Sequence, residues 1–286
     1  MSARLTLRAI FAVLLASPLV AAPPANAQES RVSAVSVQEF AYADLADLAD
    51  PATIVAKVKV TGQQALKPVP VQAGNVRPGW ARVLVSGKTQ GLLVGQGLGE
   101  SIRFLADVRM DSRGKLPKLK GQSWLVFANP GQADPRDLRL VAGDALVPAT
   151  PANEARVRAL LSELVAPGAA PRVSGVREAM HVGGNLAGEG ETQVFMATER
   201  GEPVSLTIVR RPGQAPVWGV SLSEIVDQAA RPPARDTLTW YRLACSLPPE
   251  LPREAVQYGS AEDRRIAVED YRLVMRELGP CNRTRQ

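Results

Sequence analysis

The sequence predicts a mixed fold with two parts. We expect a small antiparallel β barrel or sandwich over residues 28–150, with an OB-like barrel as its topology. An α+β domain with a three-stranded meander and terminal helices should follow over residues 151–286. Three observations lead to this prediction: short alternating segments fill the first part, capped helical patterns fill the end of the chain, and both cysteines lie in that end.

Residues 1–27 have the three parts of a secretory signal peptide. Two arginines give a basic start, residues 9–16 are apolar without interruption, and Ala25 and Ala27 are small residues at the cleavage positions. The apolar run is too short to anchor the chain in a bilayer. We therefore expect cleavage after Ala27 and an exported protein of 259 residues.

The composition limits the class of protein. Of 286 residues, 45% are hydrophobic and 22% are charged, which is typical of a globular protein. Without the signal peptide the net charge falls from +6 to +4, from 32 basic and 28 acidic residues, which is too small to indicate nucleic acid binding by itself. A usage of 27 arginines and seven lysines is typical of bacteria with G+C-rich genomes. The periplasm is the expected location, with secretion from the cell as the alternative, and we expect no transmembrane anchor in the mature chain.

A helix is predicted at the start of the mature fold. Apolar residues recur every three or four positions over residues 37–49, and Asp50 and Pro51 end the pattern. Asp44, Asp47 and Asp50 share another face of this helix. Because the spacing of a calcium-binding EF-hand loop is missing, we interpret them as a solvated acidic face with a basic neighbour opposite.

Six short segments of the first part alternate or run apolar between turn residues, as expected for an antiparallel barrel or sandwich. They are residues 53–60, 81–85, 91–94, 102–110, 123–128 and 138–141. Gly95, Gly97 and Gly99 lie between two of them. A segment of period two follows these glycines, so we interpret them as a hairpin loop and not as a dinucleotide-binding fingerprint.

The second part begins with a helix predicted over residues 154–165 and continues with three strands and further helices. The strands, at residues 192–198, 203–210 and 217–220, form the meander. Helix starts are predicted at Ser221, which forms a capping box with Glu224, at Asp236 and at Ser260. Gly279 ends the last helix.

Cys245 and Cys281 are predicted to form a disulfide. In an oxidising compartment two cysteines more often pair than serve as reactive thiols or metal ligands. The bond closes a loop of 36 residues and, in the chain-entropy model, contributes about 3 to 4 kcal/mol to stability.

Catalytic chemistry has few candidates. His181 is the only histidine, and Glu189 and Glu191 flank a glycine close to it in the sequence. A glycosidase needs two carboxylates, so these three residues are the candidates for an envelope hydrolase that acts on glycan. The competing interpretation is a structural histidine beside two exposed acids of a turn. No spacing typical of zinc ligands occurs, and we predict neither a metal nor a cofactor.

A basic segment is the candidate for binding. Its members are Arg109, Arg113, Lys115, Lys118 and Lys120, with Asp111 as the single acid among them. We expect it to bind an anionic envelope component or another envelope protein, and the alternative is a solvated loop that protects a sheet edge. Export and the lack of interleaved aromatic residues argue against nucleic acid. No motif identifies a known family, so the predicted function is a non-catalytic binding or protein-interaction module, with the hydrolase as the alternative.

Overall fold

The computed structural model describes residues 40–66, 76–132, 134–223 and 230–285. All of them belong to one compact unit, Glu39–Gln286. The predicted signal peptide, residues 1–27, and Glu224 of the predicted capping box lie outside the described residues. The domain boundary at residue 150 stays a prediction.

The described residues are mostly β. The strands are β1 (Ile54–Ala65), β2 (Trp80–Val94), β3 (Ser101–Arg109), β4 (Ser123–Pro130), β5 (Asp137–Leu140), β6 (Leu146–Pro148), β7 (Val173–Gly183), β8 (Gly190–Thr198), β9 (Ser205–Arg210) and β10 (Val217–Ser221). The α-helices are α1 (Tyr42–Ala49), α2 (Pro151–Val165), α3 (Leu238–Ala244) and α4 (Ala261–Leu278), with one 3₁₀ turn at Arg253–Ala255.

The first five strands form a closed barrel in the order β1-β2-β3-β5-β4, with β4 pairing back to β1 and the short β6 added to β4. Alternate residues of these strands fill the barrel, among them Val58, Val83, Phe104 and Val126. One pairing, β3 with β5, is parallel, a departure from the purely antiparallel prediction. The segments predicted at 81–85 and 91–94 are one strand, β2.

The second sheet has four strands in the order β10-β9-β8-β7, all antiparallel. It contains one strand more than the predicted meander. The missed strand, β7, carries bulges between Val173 and Gly175 and between Val176 and Glu178. Each bulge inserts an extra residue, so the alternation of period two that predicts a strand is broken along β7.

The last helix follows its local signals, but two other predicted starts are wrong: Thr237 and not Asp236 caps α3, and Ser221 ends β10 with no helix at residues 222–223. In α4, the Ser260 hydroxyl and the Asp263 carboxylate form a capping box, and Gly279 ends the helix at a φ of 68°. The apolar stripe of α4 is buried: Ala267, Tyr271 and Val274 are all 0% exposed. The start of α1, at Tyr42, is later than the pattern predicted. None of the helices in the described ranges has the length and apolar character of a membrane span.

The predicted disulfide is confirmed. Cys245, at the end of α3, is bonded to Cys281, two residues after Gly279. It therefore joins α3 to the segment that follows α4. The indole N–H of Trp240 in α3 also donates to the carbonyl of Leu278, at 2.8 Å, so the bond lies beside a buried contact between the two helices.

Candidate functional site

The predicted basic residues lie on the connection between β3 and β4. Arg109 is the last residue of β3, and Arg113, Lys115, Lys118 and Lys120 follow before β4 begins. All five are exposed. We call this segment the basic loop (109–120).

The basic loop is attached to the barrel at defined points. The Gln63 side chain of β1 donates to the carbonyl of Pro117 at 2.8 Å and accepts the N–H of Leu119 at 2.9 Å. Leu119 is 2% exposed and packs inside the barrel. At the other end, the N–H of Met110 donates to the carbonyl of Gly79 at 2.9 Å, and within the loop the Asp111 carboxylate accepts the N–H of Lys115 at 2.8 Å. The loop therefore has fixed anchors, while its charged side chains remain in solvent.

The charges of the basic loop are not neutralised locally. Among the described residues, no carboxylate lies within 4.0 Å of the charged nitrogens of its five basic side chains. The strand ends that flank the loop are paired, Arg109 with Trp80 of β2 and Ser123 with Lys59 of β1. Little unpaired strand edge is therefore left here for the loop to protect, which argues against the alternative role.

The three hydrolase candidates are not brought into one pocket. His181 pairs across the sheet with Thr192, and both side chains face α4, whereas Glu191 lies one residue earlier on β8 and faces the other side. The Glu189 carboxylate accepts the N–H of Asn185 at 3.1 Å within its own turn. Glu189 and Glu191 line an open groove of about 650 Å³, and His181 is not among its lining residues. The hydrolase hypothesis stays a prediction, with its candidates divided between two faces.

His181 belongs instead to a hydrogen-bonded polar chain of four residues, three of which are buried. His181 Nδ1 lies 2.8 Å from Thr192 Oγ1, and that hydroxyl donates to Asp270 Oδ2 at 2.5 Å. The other carboxylate oxygen, Oδ1, accepts Arg210 Nε at 2.9 Å. Asp270 and Thr192 are 0% exposed and His181 is 8% exposed. We call this arrangement the His181 chain; it connects β7, β8 and β9 to α4.

The His181 chain determines the position of one proton. The single Thr192 hydroxyl proton is directed at Asp270, so the hydroxyl accepts its other hydrogen bond from the Nδ1–H of His181. The imidazole is therefore oriented with Nε2 as its basic nitrogen, the arrangement that orients a general base in hydrolases. Between described residues, however, no serine or threonine hydroxyl is hydrogen-bonded to Nε2. The direct effect of the His181 chain is to connect the second sheet to α4.

Three members of the His181 chain were missed from the sequence. Thr192 and Asp270 are 78 positions apart, and only the fold brings them together. One signal was present: Asp270 lies three residues after Ala267 and four before Val274, on the apolar stripe of α4. An acid at such a position needs a buried polar partner.

The aspartates of α1 are not a solvated face, and that prediction is wrong. Asp44 is 0% exposed, because the C-terminal segment covers it: the N–H groups of Thr284 and Arg285 each donate to its carboxylate at 3.0 Å. Asp47 is paired with Arg283 at 2.6 Å. The expected basic neighbour is thus present, but it comes from the far end of the chain. We call residues 283–285 with these aspartates the C-terminal clasp.

Asp50, at the end of α1, lies in a second cluster. Arg242 reaches both of its carboxylate oxygens at 2.7 Å, and Arg172 donates to it at 2.8 Å. Burial alone raises the pKa of Asp50, but the hydrogen bonds from these two arginines outweigh it, so the pKa is lowered. Arg242 is only 7% exposed, so this pair connects α1 to α3 inside the protein.

No group of three or more His, Cys, Asp or Glu side chains in the described ranges is arranged to hold a metal ion. Models of known protein families do not match this sequence, and no curated protein matches it.

Proposed function

We propose that this protein is an exported, non-catalytic binding module and that its basic loop (109–120) binds an anionic component of the cell envelope. The observation that carries the proposal is the presence of five exposed cations, none paired with a carboxylate of the described residues, on a loop anchored by Gln63 and Leu119. A cluster of one sign attracts an oppositely charged partner and raises its rate of association. Anchoring reduces the entropy that is lost when the loop is ordered on binding.

The barrel is the scaffold of this proposal. Its strand order, β1-β2-β3-β5-β4 with closure between β1 and β4, supports the OB-like topology expected from the sequence. OB-like barrels bind ligands through their strand faces and connecting loops, with the barrel as a rigid support. The barrel supports the proposal only by its likeness to a fold that binds ligands, and the proposed binding itself depends on the residues of the basic loop.

The location is also part of the proposal. Residues 1–27 have the organisation of a signal peptide, and the Cys245–Cys281 disulfide is the kind of bond that persists in an oxidising compartment. We propose the periplasm as the working location. An envelope component is then the nearest anionic partner.

We propose that the anion is the phosphate of a phosphorylated glycolipid. Three of the seven lysines of the chain, Lys115, Lys118 and Lys120, fall within six residues. Lysine acts as a point charge and suits phosphates spread over a surface, whereas arginine favours a single bidentate partner. Near an anionic membrane each basic residue of such a cluster contributes about 1 kcal/mol.

Co-sedimentation with vesicles tests the proposal. We expect the mature protein to pellet with vesicles of phosphatidylcholine that contain lipid A and to stay in solution with phosphatidylcholine alone. Binding should weaken as the salt concentration rises, because salt screens exposed charges. The Lys115→Ala/Lys118→Ala/Lys120→Ala variant should stay in solution.

The matched control removes three exposed arginines elsewhere, as Arg253→Ala/Arg272→Ala/Arg276→Ala. It has the same net charge as the loop variant, and it should pellet like the wild type. Equal loss in both variants would show that only net charge matters. Capture of an acidic protein by the wild type, with no vesicle binding, would replace the glycolipid by a protein partner.

A further inference from the structure

A groove on the second sheet is independent of the basic loop. It lies where β7 and β8 meet the turn between β8 and β9, has a volume of about 490 Å³, and is lined by Arg177, Phe195, Glu202 and Val204 among others. This volume falls within the roughly 300–1,000 Å³ of small-molecule sites. We call it the turn groove.

Glu202 brings an unpaired carboxylate to the turn groove. Its Oε2 is buried and has no hydrogen-bond partner among the described residues. The backbone around it is fixed, since the Glu202 carbonyl accepts the Thr198 hydroxyl at 2.9 Å and Met196 N–H bonds to the carbonyl of Val204 at 2.9 Å. A buried carboxylate oxygen without a donor is unfavourable, and such an oxygen indicates a missing partner.

Arg177 brings the opposite charge to the same groove. It is the extra residue of a bulge in β7, between Val176 and Glu178, and a bulge redirects a side chain. Its guanidinium lies over the Phe195 ring, 5.9 Å from the ring centre. Of the ion pairs between described residues, none involves Arg177, and its distance from the Glu202 carboxylate exceeds 4.0 Å.

The turn groove thus presents one cation and one anion that do not neutralise each other, with an aromatic ring beside the cation. We propose that it binds a small zwitterion, an α-amino acid or the equivalent ends of a dipeptide. Glu202 accepts a hydrogen bond from the ammonium group of the ligand through Oε1, its oxygen that is not among the buried unpaired atoms. The planar Arg177 guanidinium donates two hydrogen bonds to the ligand carboxylate. Phe195 and Val204 contact an apolar side chain.

Calorimetric titration with L-leucine and with L-leucyl-L-leucine tests this site and separates the two ligand sizes. The wild type should bind at least one of them, and the N-acetylated and the C-terminally amidated forms should each bind at least tenfold more weakly. The absence of heat from both zwitterions would overturn the proposal.

Two variants assign the charges. In Glu202→Gln, N-acetylation of the ligand should no longer matter, because the group that reads the ammonium is gone. In Arg177→Met, amidation should no longer matter. Arg200→Met is the matched control: Arg200 lies on the same turn but is not among the lining residues of the turn groove, and its loss should leave all affinities unchanged. Wild-type affinity in Glu202→Gln or in Arg177→Met would contradict the assignment.

The unliganded protein gives a second measurement. Glu202→Gln replaces a half-buried carboxylate, one oxygen of which is buried without a donor, by a neutral amide that is less costly to bury. The midpoint of thermal unfolding should therefore rise. A lower midpoint would show that the Glu202 carboxylate already has a stabilising partner and would overturn the proposal.

Discussion

Asp44 in the first helix accepts the backbone N–H of Thr284, 240 positions further along the chain, at 3.0 Å. The Thr284 hydroxyl also donates to the same carboxylate. Arg285, the next residue, is paired with Asp144 at 2.7 Å. The C-terminal clasp is therefore a set of charge-assisted hydrogen bonds to α1, and Arg285 also connects it to Asp144, between β5 and β6.

The clasp predicts that stability falls in acid. Burial alone raises the pKa of Asp44, but the hydrogen bonds from Thr284, Arg285 and Ala41 outweigh burial, so the pKa is lowered on folding. The pKa of Asp144 is lowered in the same way, with Arg285 as the main hydrogen-bond donor. A carboxyl with a lowered pKa binds fewer protons when folded. Its contribution is complete above the unfolded pKa of about 4 and is lost progressively as the pH falls from there through the lower pKa of the folded protein.

Urea unfolding between neutral pH and pH 3 measures this loss. The free energy of unfolding should be nearly constant down to about pH 5 and should then decrease. Asp44→Asn should be less stable at neutral pH and should lose less on acidification. A pH dependence identical to that of the wild type would exclude Asp44 as a contributor.

The disulfide is predicted to stabilise the protein chiefly through the unfolded state. Its 36-residue separation corresponds to about 3 to 4 kcal/mol in the chain-entropy model. Cys245→Ser/Cys281→Ser should lower the free energy of unfolding by that amount, and wild type unfolded in the presence of reductant should agree with it. Equal stability of the oxidised and reduced proteins would contradict the prediction.

The His181 chain is predicted to be a stability element. Asp270→Ala leaves Arg210 and Thr192 without their buried acceptor and should cost about 3 kcal/mol, as when one partner of a buried pair is removed. Arg272→Ala, two residues later on the exposed side of α4, should cost less than about 0.5 kcal/mol. Similar losses in the two variants would show that helix α4, and not the buried acceptor, is responsible.

Gly190 is predicted to be required for the position of His181. A Cβ there would lie 2.6 Å from His181 Cε1 and 2.9 Å from the carbonyl of Val182, so Gly190→Ala should cost about 1 to 3 kcal/mol by overpacking. At Gly183, its partner across the sheet, an added Cβ would meet no atom of the described residues within 4 Å. Gly183→Ala should leave the thermal midpoint nearly unchanged, and a drop equal to that of Gly190→Ala would exclude the contact as the cause.

Features that depend on neighbouring residues could be predicted from the sequence. Ser260, Gly279 and the apolar stripe between them determine α4 because caps and period act within one helix. The disulfide followed from the number of cysteines and the compartment. A barrel or sandwich was predicted because each of its strand segments shows its own pattern of apolar residues between turn residues.

Features that depend on distant residues could not be predicted. Asp44 has the sequence context of a solvated acid, and it is buried only because Thr284 and Arg285 cover it. The parallel pairing of β3 with β5 is set by the path of the chain and leaves no local pattern. His181 and Glu191 are close in sequence, but the period of a strand places them on opposite faces.

The C-terminal clasp also constrains the order of events when the protein is made. A chain synthesised at about 5–20 residues per second would expose Asp44 roughly 10–50 s before Thr284 and Arg285 exist. Cys281, which fixes the segment leading to them, precedes Thr284 by only three positions and is made equally late relative to Asp44. Helix α1 therefore obtains these partners only after 240 further residues have been made. A chain shortened by four residues would lack them permanently while keeping both cysteines.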